Sequence, residues 1–591
     1  MSDGVDARPP RPGTADVDAQ RAFWADAVAD QIEARDPQEP VVIKGGISPS
    51  GVPHLGNMNE VLRGYFVAEA LRDRGREVRQ VFTTDDFDPL RSVPRKLADL
   101  DGNVVDLGEV DAGALGRNLG RAYTDVPDPF GCCDSYGDHF STLIETGAER
   151  LGVPVETVSN TALYERGEFE PVVRSLLMNR EAAHKVIADH QASVDDDYVP
   201  FRPRCAECGL ITGTDAVTGV DLDAGVVHYE CGDIEAGEQV IEGCGHRGTA
   251  TIREGKLPWR FEWPAQWRVL DVDHEPFGKD HAEGSWPSGV EIARDLLDLE
   301  PPVPMVYEWF TLNGEPFSSS AGHVVTVQEV LDLVEPEVVR YFFTLDPGRT
   351  RDFSIPDLGE LATDFDRFER RYFGEESEGG DEGERARAER AYPAVARPTV
   401  AARFEDDGTP SEDPAATVVV PPDSRAAVDA VLDGAFADRV RLPYTFAAVL
   451  GMTDDPELRE EMARNEGHLP EGAPEWAVRF ALARVPKARH WAERVDNEYN
   501  YRIQADLPDV PVDDRTARAL DELADFVAAG HDGEAVQGEI YETAKRHDIA
   551  VGDLFATGYR LFFDQPSGPK LGPLLGALDR EFVVRRLRRE G

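Results

Sequence analysis

The stretch from Val41 to Asn57, VVIKGGISPSGVPHLGN, combines a strand pattern with polar side chains that could hold an anion. Val41–Ile43 is a short apolar run typical of a buried parallel strand, and a turn rich in Gly, Pro and Ser follows it. From Asn57 onward, apolar residues recur at helical spacing. Such a turn presents free backbone N–H groups to an anion, with His54 and Asn57 beside them. We therefore expect a phosphate-binding turn, with an ordinary strand-to-helix connection as the alternative.

Three carboxylates follow the next predicted strand, Glu77–Thr84, as Asp85, Asp86 and Asp88. In open α/β sheets, ligands bind at the carboxyl ends of the strands. We expect at least one of these residues to contact a ligand. The alternative is a solvated acidic turn.

Two groups of residues have the types and spacing of metal ligands. Asp128, Cys132, Cys133 and His139 lie within twelve residues, and all three residue types bind Zn²⁺. The alternative for this group is a pair of buried cysteines at a helix start.

The second group begins with the CxxC pair Cys205 and Cys208 and continues with Cys231 and Cys244. Two cysteine-bearing turns joined by short β-like runs are typical of a zinc ribbon, with His246 as an alternative fourth ligand. Because four thiolates fill the coordination of the ion, this zinc would be structural rather than catalytic.

Composition narrows the class of protein. The six cysteines cluster as metal ligands do in a reducing cytoplasm, and no apolar run is long enough to cross a membrane. The polar N-terminus has no secretory pattern. The net charge is −51, with only eight lysines, which would ordinarily argue against a nucleic-acid partner. Because the acidity is spread along the whole chain, we interpret it instead as adaptation to high salt. RNA binding in that setting would depend on shape, stacking and arginine contacts.

The pattern along the chain predicts an α/β protein with an all-α C-terminal part. Further strands are expected at Val269–Val272 and Met305–Leu312, each followed by a polar loop, and helical periodicity dominates from about Asp357. The expected divisions are an acidic tail (1–20), a parallel-sheet domain (21–126 and 259–356), a zinc-binding insertion (127–258) and a helical domain (357–591) that carries an acidic, partly disordered insertion (374–424).

Seven motifs in order give the chain a family resemblance. They are GISPSGVPHLGN, TTDDFD, DPFGCCDSYGDHF, the CxxC with two later cysteines, WPAQW, EPFGKDH and FSSSAG. This order resembles the class I, archaeal-type lysyl-tRNA synthetases, strongly over Arg21–Arg371 and more loosely at the helical end. The resemblance implies a Rossmann-type catalytic domain split by a metal-bearing insertion. A helical anticodon-binding domain would follow.

The resemblance also implies roles for individual residues. His54 and Asn57 would hydrogen-bond the phosphates of ATP, and Gly56 would let the adenine approach the backbone. Catalytic roles would fall to His54, Asn57, Ser318, Ser319 and Ser320, and ATP contacts to Pro53, His54, Gly56, Asn57, Gly278, Asp280, His281, Ser319 and Ser320. The lysine site would comprise Gly46, Ser48, Trp267 and Tyr307. Since a buried ammonium needs a carboxylate, it would also include Asp85 and Asp86, with Glu60 behind them.

Two positions depart from the family pattern. Ala321 stands where the second signature usually has a lysine that stabilises the leaving pyrophosphate, so Lys279, Arg349, Arg351, backbone N–H groups or serine hydroxyls would have to compensate. In the first metal group, Cys132-Cys133 replaces the usual Cys-His pair.

The expected reaction is ATP-dependent activation of L-lysine, followed by transfer to tRNA(Lys), with Mg²⁺ and Zn²⁺ as cofactors. A class I synthetase for glutamate, a non-catalytic tRNA-binding relative and a small-molecule nucleotidylyltransferase are the alternatives. No membrane or DNA partner is expected, and the location is cytoplasmic.

Overall fold

The computed structural model describes residues 22–191, 194–195, 197–236, 239–317, 323–376 and 382–590. The acidic tail expected over residues 1–20 lies outside these ranges, as do Ser318–Gly322 of the second signature. Among the described helices, none is both long and apolar enough to cross a lipid bilayer.

Five parallel strands form the central sheet. In spatial order they are Val303–Tyr307, His274–Gly278, Val41–Ile47, Val78–Thr84 and Glu156–Ser159. The strand that the glycine-rich turn follows is therefore central, with a partner on each side. All five carboxyl ends meet at one edge of the sheet, as expected for a ligand site.

Helices pack on this sheet: Trp24–Glu33, Met58–Arg72, Tyr136–Arg150, Trp259–Leu270 and Trp286–Leu297. The helix Met58–Arg72 is buried on nearly every face. It approaches the sheet closely at Gly64, where a Cβ would lie 3.2 Å from the side chain of Ile43. The turn at the site is thus fixed between a central strand and a helix enclosed in the core.

Three strand positions differ from expectation. The strand expected at Met305–Leu312 is two strands, Val303–Tyr307 and Phe310–Leu312, which belong to different sheets. Val269 and Leu270 end the helix Trp259–Leu270, and the strand begins four residues later, at His274. Pro264 inside this helix argued against it, although its three tryptophans recur at four-residue helical spacing. The strand Glu156–Ser159 lies inside the range 127–258 that we assigned to the insertion, yet it pairs with Val78–Thr84. Its sequence, ETVS, is too short and polar to be identified as a sheet strand.

The remainder of the range 127–258 holds small elements. Its helices are Asn160–Glu165, Glu170–Met178 and Arg180–His190, and its main antiparallel sheet comprises Val217–Asp221, Val226–Glu230 and Arg247–Thr251. Shorter paired strands are Ile234–Ala236 with Gln239–Ile241, and Arg202–Pro203 with Gly255–Lys256.

A separate small sheet comprises the short strands Phe310–Leu312, Glu315–Pro316 and Arg351–Phe353. In the sequence, the helices Val327–Leu331 and Pro336–Thr344 lie between its last two strands. The rest of the described chain is mostly helical. Its helices are Leu358–Tyr372, Glu382–Arg403, Arg425–Asp433, Tyr444–Leu450, Pro456–Asn465, Glu475–Leu482, Arg484–Val495, Asp514–Ala528, Gly533–Arg546, Val551–Phe563, Leu571–Ala577 and Arg580–Leu587.

The expectation of a partly disordered surface insertion over 374–424 is not met by its central part. Glu382–Arg403 is a helix of 22 residues whose Tyr392, Val395 and Val400 are buried in the main core. The acidic, Gly-rich sequence at both ends of this helix masked an apolar middle. In a chain this acidic, charge composition alone is a poor guide to disorder.

The same helix connects the parallel-sheet part of the chain to the helical part through ion pairs centred on buried Arg397. The Arg397 guanidinium lies 2.9 Å from carboxylate oxygens of both Glu69 and Asp73, and 2.7 Å from Asp429. Arg425 binds Glu69 and Asp73 as well. Glu69 and Asp73 lie at the far end of the helix that begins at the glycine-rich turn.

Candidate active site and metal-ligand clusters

A cavity of about 500 Å³ lies at the carboxyl edge of the central sheet, a size typical of small-molecule sites. Ten of the residues predicted for ATP or lysine line it: Gly46, Ser48, His54, Gly56, Asn57, Asp85, Gly278, Asp280, His281 and Tyr307. Four separate stretches of sequence therefore converge on one site.

The glycine-rich turn positions His54 and Asn57 at the cavity wall. The Asn57 Oδ1 atom accepts a hydrogen bond from the backbone N–H of His54 at 2.9 Å, which fixes the turn. The His54 ring stacks on Phe317 with centroids 4.9 Å apart, and its buried Nδ1 has no partner among the described residues. Burial lowers the pKa of His54 to about 4, so the ring is neutral at pH 7. It offers a ligand a hydrogen bond rather than a charge.

Glu60 lies one helical turn beyond Asn57 and reaches back beneath the first strand. One carboxylate oxygen accepts the Gly46 N–H at 2.8 Å, and the other lies 3.3 Å from the Tyr307 hydroxyl. Burial raises the pKa of Glu60 to about 8. A cation entering the cavity would favour the ionised form and lower this pKa.

Asp85 lies at the end of the second strand with its carboxylate held by neutral donors. Its Oδ1 accepts the side-chain amides of Asn160 at 2.7 Å and Gln266 at 2.9 Å. Burial, followed by the nearby Asp88 carboxylate, raises the pKa of Asp85 to about 6. Neutral donors orient the group without cancelling its charge, so ionised Asp85 contributes a negative charge to the cavity.

Asp88 is arranged differently, although it lines the same cavity. Its carboxylate forms a buried ion pair with Lys256, which also pairs with Glu262. Burial would raise the pKa of Asp88, but the Lys256 ammonium outweighs this and lowers it. The charge of Asp88 is thus balanced within the protein.

Three described residues from the predicted site do not line the cavity. Pro53 faces a small neighbouring pocket. Asp86 is buried and accepts hydrogen bonds from the Thr161 N–H and the Thr84 hydroxyl. Trp267 is fully buried and donates its indole N–H to Glu275, which also pairs with Lys44 at 2.7 Å. The polar atoms of Asp86 and Trp267 already form hydrogen bonds within the protein. These two residues therefore hold neighbouring groups in place and do not face the cavity.

The residues proposed to compensate for Ala321 lie outside the cavity lining. Lys279 pairs with Glu308, and its ammonium lies 5.0 Å from the centre of the Trp309 ring. Arg349 is largely exposed beside Asp346. The predicted serine loop, Ser318, Ser319 and Ser320, lies outside the described residues together with Ala321.

Sequence reasoning missed part of the cavity wall. Trp259, Trp309, Phe310 and Phe317 are aromatic lining residues that we did not predict. The dense aromatic content of the WRFEW and YEWF segments was the available signal. Glu60 was expected behind the aspartates, and it lines the cavity directly.

The four later cysteines form one cluster, and Cys244 rather than His246 completes it. Their Sγ atoms lie within 4.8 Å of one another, with 3.7 Å between Cys205 and Cys244 and between Cys208 and Cys231. A tetrahedron with Zn–S bonds of about 2.3 Å has edges of about 3.8 Å, so the spacing fits a tetrahedral ion. Burial would raise the pKa of Cys205, but the backbone N–H groups of Cys208 and Glu207 outweigh it and lower this pKa to about 7. A thiolate is thereby favoured.

The earlier group, Asp128, Cys132, Cys133 and His139, also comes together, with ligand atoms within 4.8 Å of one another. The Nδ1 atom of His139 lies 3.3 Å from Cys132 Sγ, while Nε2 is 2.9 Å from the Ala98 carbonyl oxygen. A histidine that donates one N–H to a carbonyl presents its other nitrogen to a metal. This donor set therefore fits a metal ion as well.

Comparison with known proteins identifies the family of this site. A family profile described as "tRNA synthetases class I (K)" matches residues 22–394. A lysine–tRNA ligase of Haloarcula marismortui is 62% identical over 570 residues, covering 96% of this chain and 97% of that protein. The chain belongs to the class I lysyl-tRNA synthetases.

More distant members of the lysyl-tRNA synthetase family also match along the chain. The lysine–tRNA ligase of Pyrococcus horikoshii is 30% identical, covering 96% of this chain and 99% of that protein. Among solved structures, a glutamate tRNA ligase from Elizabethkingia meningosepticum covers 93% of this chain and 99% of its own, with 11% identity and a TM-score of 0.41. The sequence matches confirm the family resemblance and the expected enzyme class.

Proposed function

We propose that this lysyl-tRNA synthetase joins L-lysine to ATP in the cavity described above and then transfers the lysyl group to tRNA(Lys). The observation that carries the proposal is the charge of the cavity. Its described lining includes four carboxyl side chains, Glu60, Asp85, Asp88 and Asp280, and no lysine or arginine. A glutamate side chain would meet like charge there, whereas a lysine ammonium meets opposite charge.

We assign the lysine ammonium to Asp85 and Glu60. These carboxylates are buried, face the cavity and have no cationic hydrogen-bond partner, whereas Asp88 is paired with Lys256. Gly46, Ser48 and Tyr307 complete the proposed lysine site, since they line the cavity beside Glu60. Asp86 and Trp267, which we also predicted to contact lysine, act in this proposal as supports for neighbouring residues.

We assign ATP to the side of the cavity formed by the glycine-rich turn and by Gly278, Asp280 and His281. Neutral His54 and the Asn57 amide donate hydrogen bonds to phosphate oxygens. At Gly56, a Cβ would come within 2.8 Å of the His54 ring, so only glycine leaves this ring in place against the nucleotide. The triphosphate, in an acidic cavity, would enter with Mg²⁺.

The chemistry needs no side-chain nucleophile. The lysine carboxylate attacks the α-phosphorus of ATP, a new P–O bond forms and the bond to pyrophosphate breaks. The terminal ribose hydroxyl of the tRNA then attacks the lysyl carbonyl: the ester bond forms, the bond between the carbonyl carbon and the AMP oxygen breaks, and the hydroxyl proton passes to the departing AMP phosphate. The protein orients the reactants and stabilises developing charge on the phosphates. In this proposal the hydroxyls and backbone N–H groups of the serine loop take the role usually played by the lysine absent at Ala321.

We propose that both ligand clusters bind Zn²⁺. The four-cysteine cluster has a full protein ligand set, so its ion would hold two turns together and contribute to folding. We expect the enzyme to work in the cytoplasm at high salt, where its thiols stay reduced and its acidic surface is screened.

Amino-acid-dependent exchange of pyrophosphate into ATP tests the proposal. In molar KCl, with and without tRNA(Lys), lysine should support exchange and glutamate should not. Exchange with glutamate, or with neither amino acid, would contradict it. Replacement of both His54 and Asn57 by alanine should abolish the lysine-dependent signal, while a chain altered only at exposed Met178 should retain it.

A further inference from the structure

The mouth of the cavity carries an exposed tryptophan that no step above uses. Trp309 connects the strands Val303–Tyr307 and Phe310–Leu312, lines the cavity and is 49% exposed. Of the large apolar side chains exposed in the described part of the chain, it alone lines the cavity. An indole face left open beside a ligand site is available to stack on another planar group.

A lysine lies against the same ring. The Lys279 ammonium is 5.0 Å from the Trp309 ring centre, and its side chain is 36% exposed. Its chain neighbours Gly278 and Asp280 both line the cavity. An aromatic face with a cation beside it is the combination that proteins use to bind single-stranded nucleic acid.

The order of the two reaction steps determines which part of the tRNA reaches Trp309. A cavity of about 500 Å³ is taken up by lysine and the nucleotide in the first step. The tRNA ribose must therefore approach from the open side, carried by a single-stranded end with unpaired bases and phosphates. The described lining holds no lysine or arginine, and Lys279 lies beside it, against the Trp309 ring.

We propose that Trp309 and Lys279 bind the single-stranded 3′ end of the tRNA, Trp309 by stacking on an unpaired base and Lys279 by contacting an adjacent phosphate. This inference rests on the proposed function of the cavity. Glu308 pairs with Lys279 in the free enzyme, so a tRNA phosphate competes with this carboxylate for the ammonium. The ion pair keeps an isolated lysine positioned until the tRNA arrives.

Binding of tRNA(Lys), measured by filter retention, tests the inference without any chemistry. Trp309→Ala should weaken binding about tenfold, Trp309→Phe should restore most of it, and Met178→Ala, at another exposed apolar residue, should have no effect. With a tRNA that lacks its unpaired terminal nucleotides, the wild type and Trp309→Ala should bind equally. Lys279→Met should weaken binding and reduce its dependence on KCl, and Glu308→Gln should strengthen it.

The KM values for tRNA and for ATP distinguish this tRNA-binding role of Trp309 from the assignment of the cavity to lysine and ATP. In the aminoacylation reaction, Trp309→Ala should raise the KM for tRNA about tenfold, while the KM for ATP in lysine-dependent exchange changes less than twofold. A comparable rise in the KM for ATP would show that the ring serves the nucleotide instead and would overturn the inference. Unchanged tRNA binding in Trp309→Ala would overturn it too. Absence of lysine-dependent exchange in the wild type would refute the proposed function, while the filter assay still decides the role of Trp309.

Discussion

Replacing Asp85 by asparagine should separate the lysine site from the rest of the cavity. Asn160 and Gln266 both donate to the Oδ1 atom of Asp85. An asparagine at this position keeps those two hydrogen bonds only by turning its own oxygen toward them. Its NH₂ group then faces the cavity, so the substitution both removes a negative charge and presents a donor to the lysine ammonium.

The size of the effect follows from the burial of the pair. Removing one partner of a buried, hydrogen-bonded charge pair costs about 2–5 kcal/mol. Since Glu60 shares the ammonium in our assignment, we expect a value near the lower end, about 2–3 kcal/mol. This corresponds to a rise of about 30- to 150-fold in the KM for lysine. The KM for ATP should change little, because His54, Gly278 and Asp280 are untouched.

Lysine-dependent pyrophosphate exchange measures both constants, and Asp86→Asn is the matched control. Asp86 is the same residue type one position later, buried and outside the cavity lining. It should alter the KM for lysine less than threefold, even where it lowers thermal stability. If Asp85→Asn changes the KM for lysine by less than threefold, or if Asp86→Asn gives the larger effect, our assignment of the ammonium is refuted.

The pH dependence of the affinity for lysine provides a second test of the role of Asp85. Burial and the Asp88 carboxylate raise the pKa of Asp85 to about 6. An ammonium binds the ionised carboxylate, so the wild-type affinity for lysine should fall as pH drops through 6. In Asp85→Asn this fall should be lost, because no group with that pKa remains at the position. A fall of equal steepness in both proteins would assign the titration to another group.

Three further predictions concern other parts of the molecule. Between pH 6 and 8 the affinity of the wild type for lysine should improve, because the pKa of Glu60 is raised to about 8 and ammonium binding requires the ionised form. In Glu60→Gln this improvement should be smaller. Equal improvement in both proteins, measured by pyrophosphate exchange across this range, would contradict the prediction. Cys205→Ser should leave about one zinc per chain instead of two by elemental analysis of the purified protein, and unchanged zinc content would exclude the four-cysteine site. Arg397→Met should lower the free energy of unfolding by about 1–3 kcal/mol, since Arg425 still pairs with Glu69 and Asp73 while Asp429 loses its partner, and denaturation in KCl should show a smaller loss for the more exposed Arg390→Met.

The sequence was most informative where local pattern and local structure coincide. In three short stretches the residue types alone indicate the kind of ligand: the turn Pro53–Asn57, the aspartates after Thr84 and the CxxC pair. The parallel sheet was predictable because its central strands are apolar runs followed by polar loops. His54, Asn57 and Asp85 follow from these local patterns, whereas the family resemblance implied the other seven predicted residues that line the cavity: Gly46, Ser48, Gly56, Gly278, Asp280, His281 and Tyr307.

The sequence could not show which way a side chain points or which distant residue it pairs with. Asp85 and Asp86 are adjacent and chemically identical, yet only the first faces the cavity, because Asp86 turns inward to accept hydrogen bonds from the Thr161 N–H and the Thr84 hydroxyl. Trp267 belongs to the right motif, but its indole N–H is used by Glu275. The helix Glu382–Arg403 was hidden in part because its buried Arg397 is stabilised by distant carboxylates, and such long-range partners leave no local signal.

A crystal structure with a non-hydrolysable lysyl-adenylate analogue tests the central claim most directly. The account predicts the lysine ammonium within hydrogen-bonding distance of Asp85 or Glu60, and the adenosine against Gly56, Gly278 and His281. An analogue bound with its ammonium in solvent, or bound away from the carboxyl edge of the sheet, would contradict it.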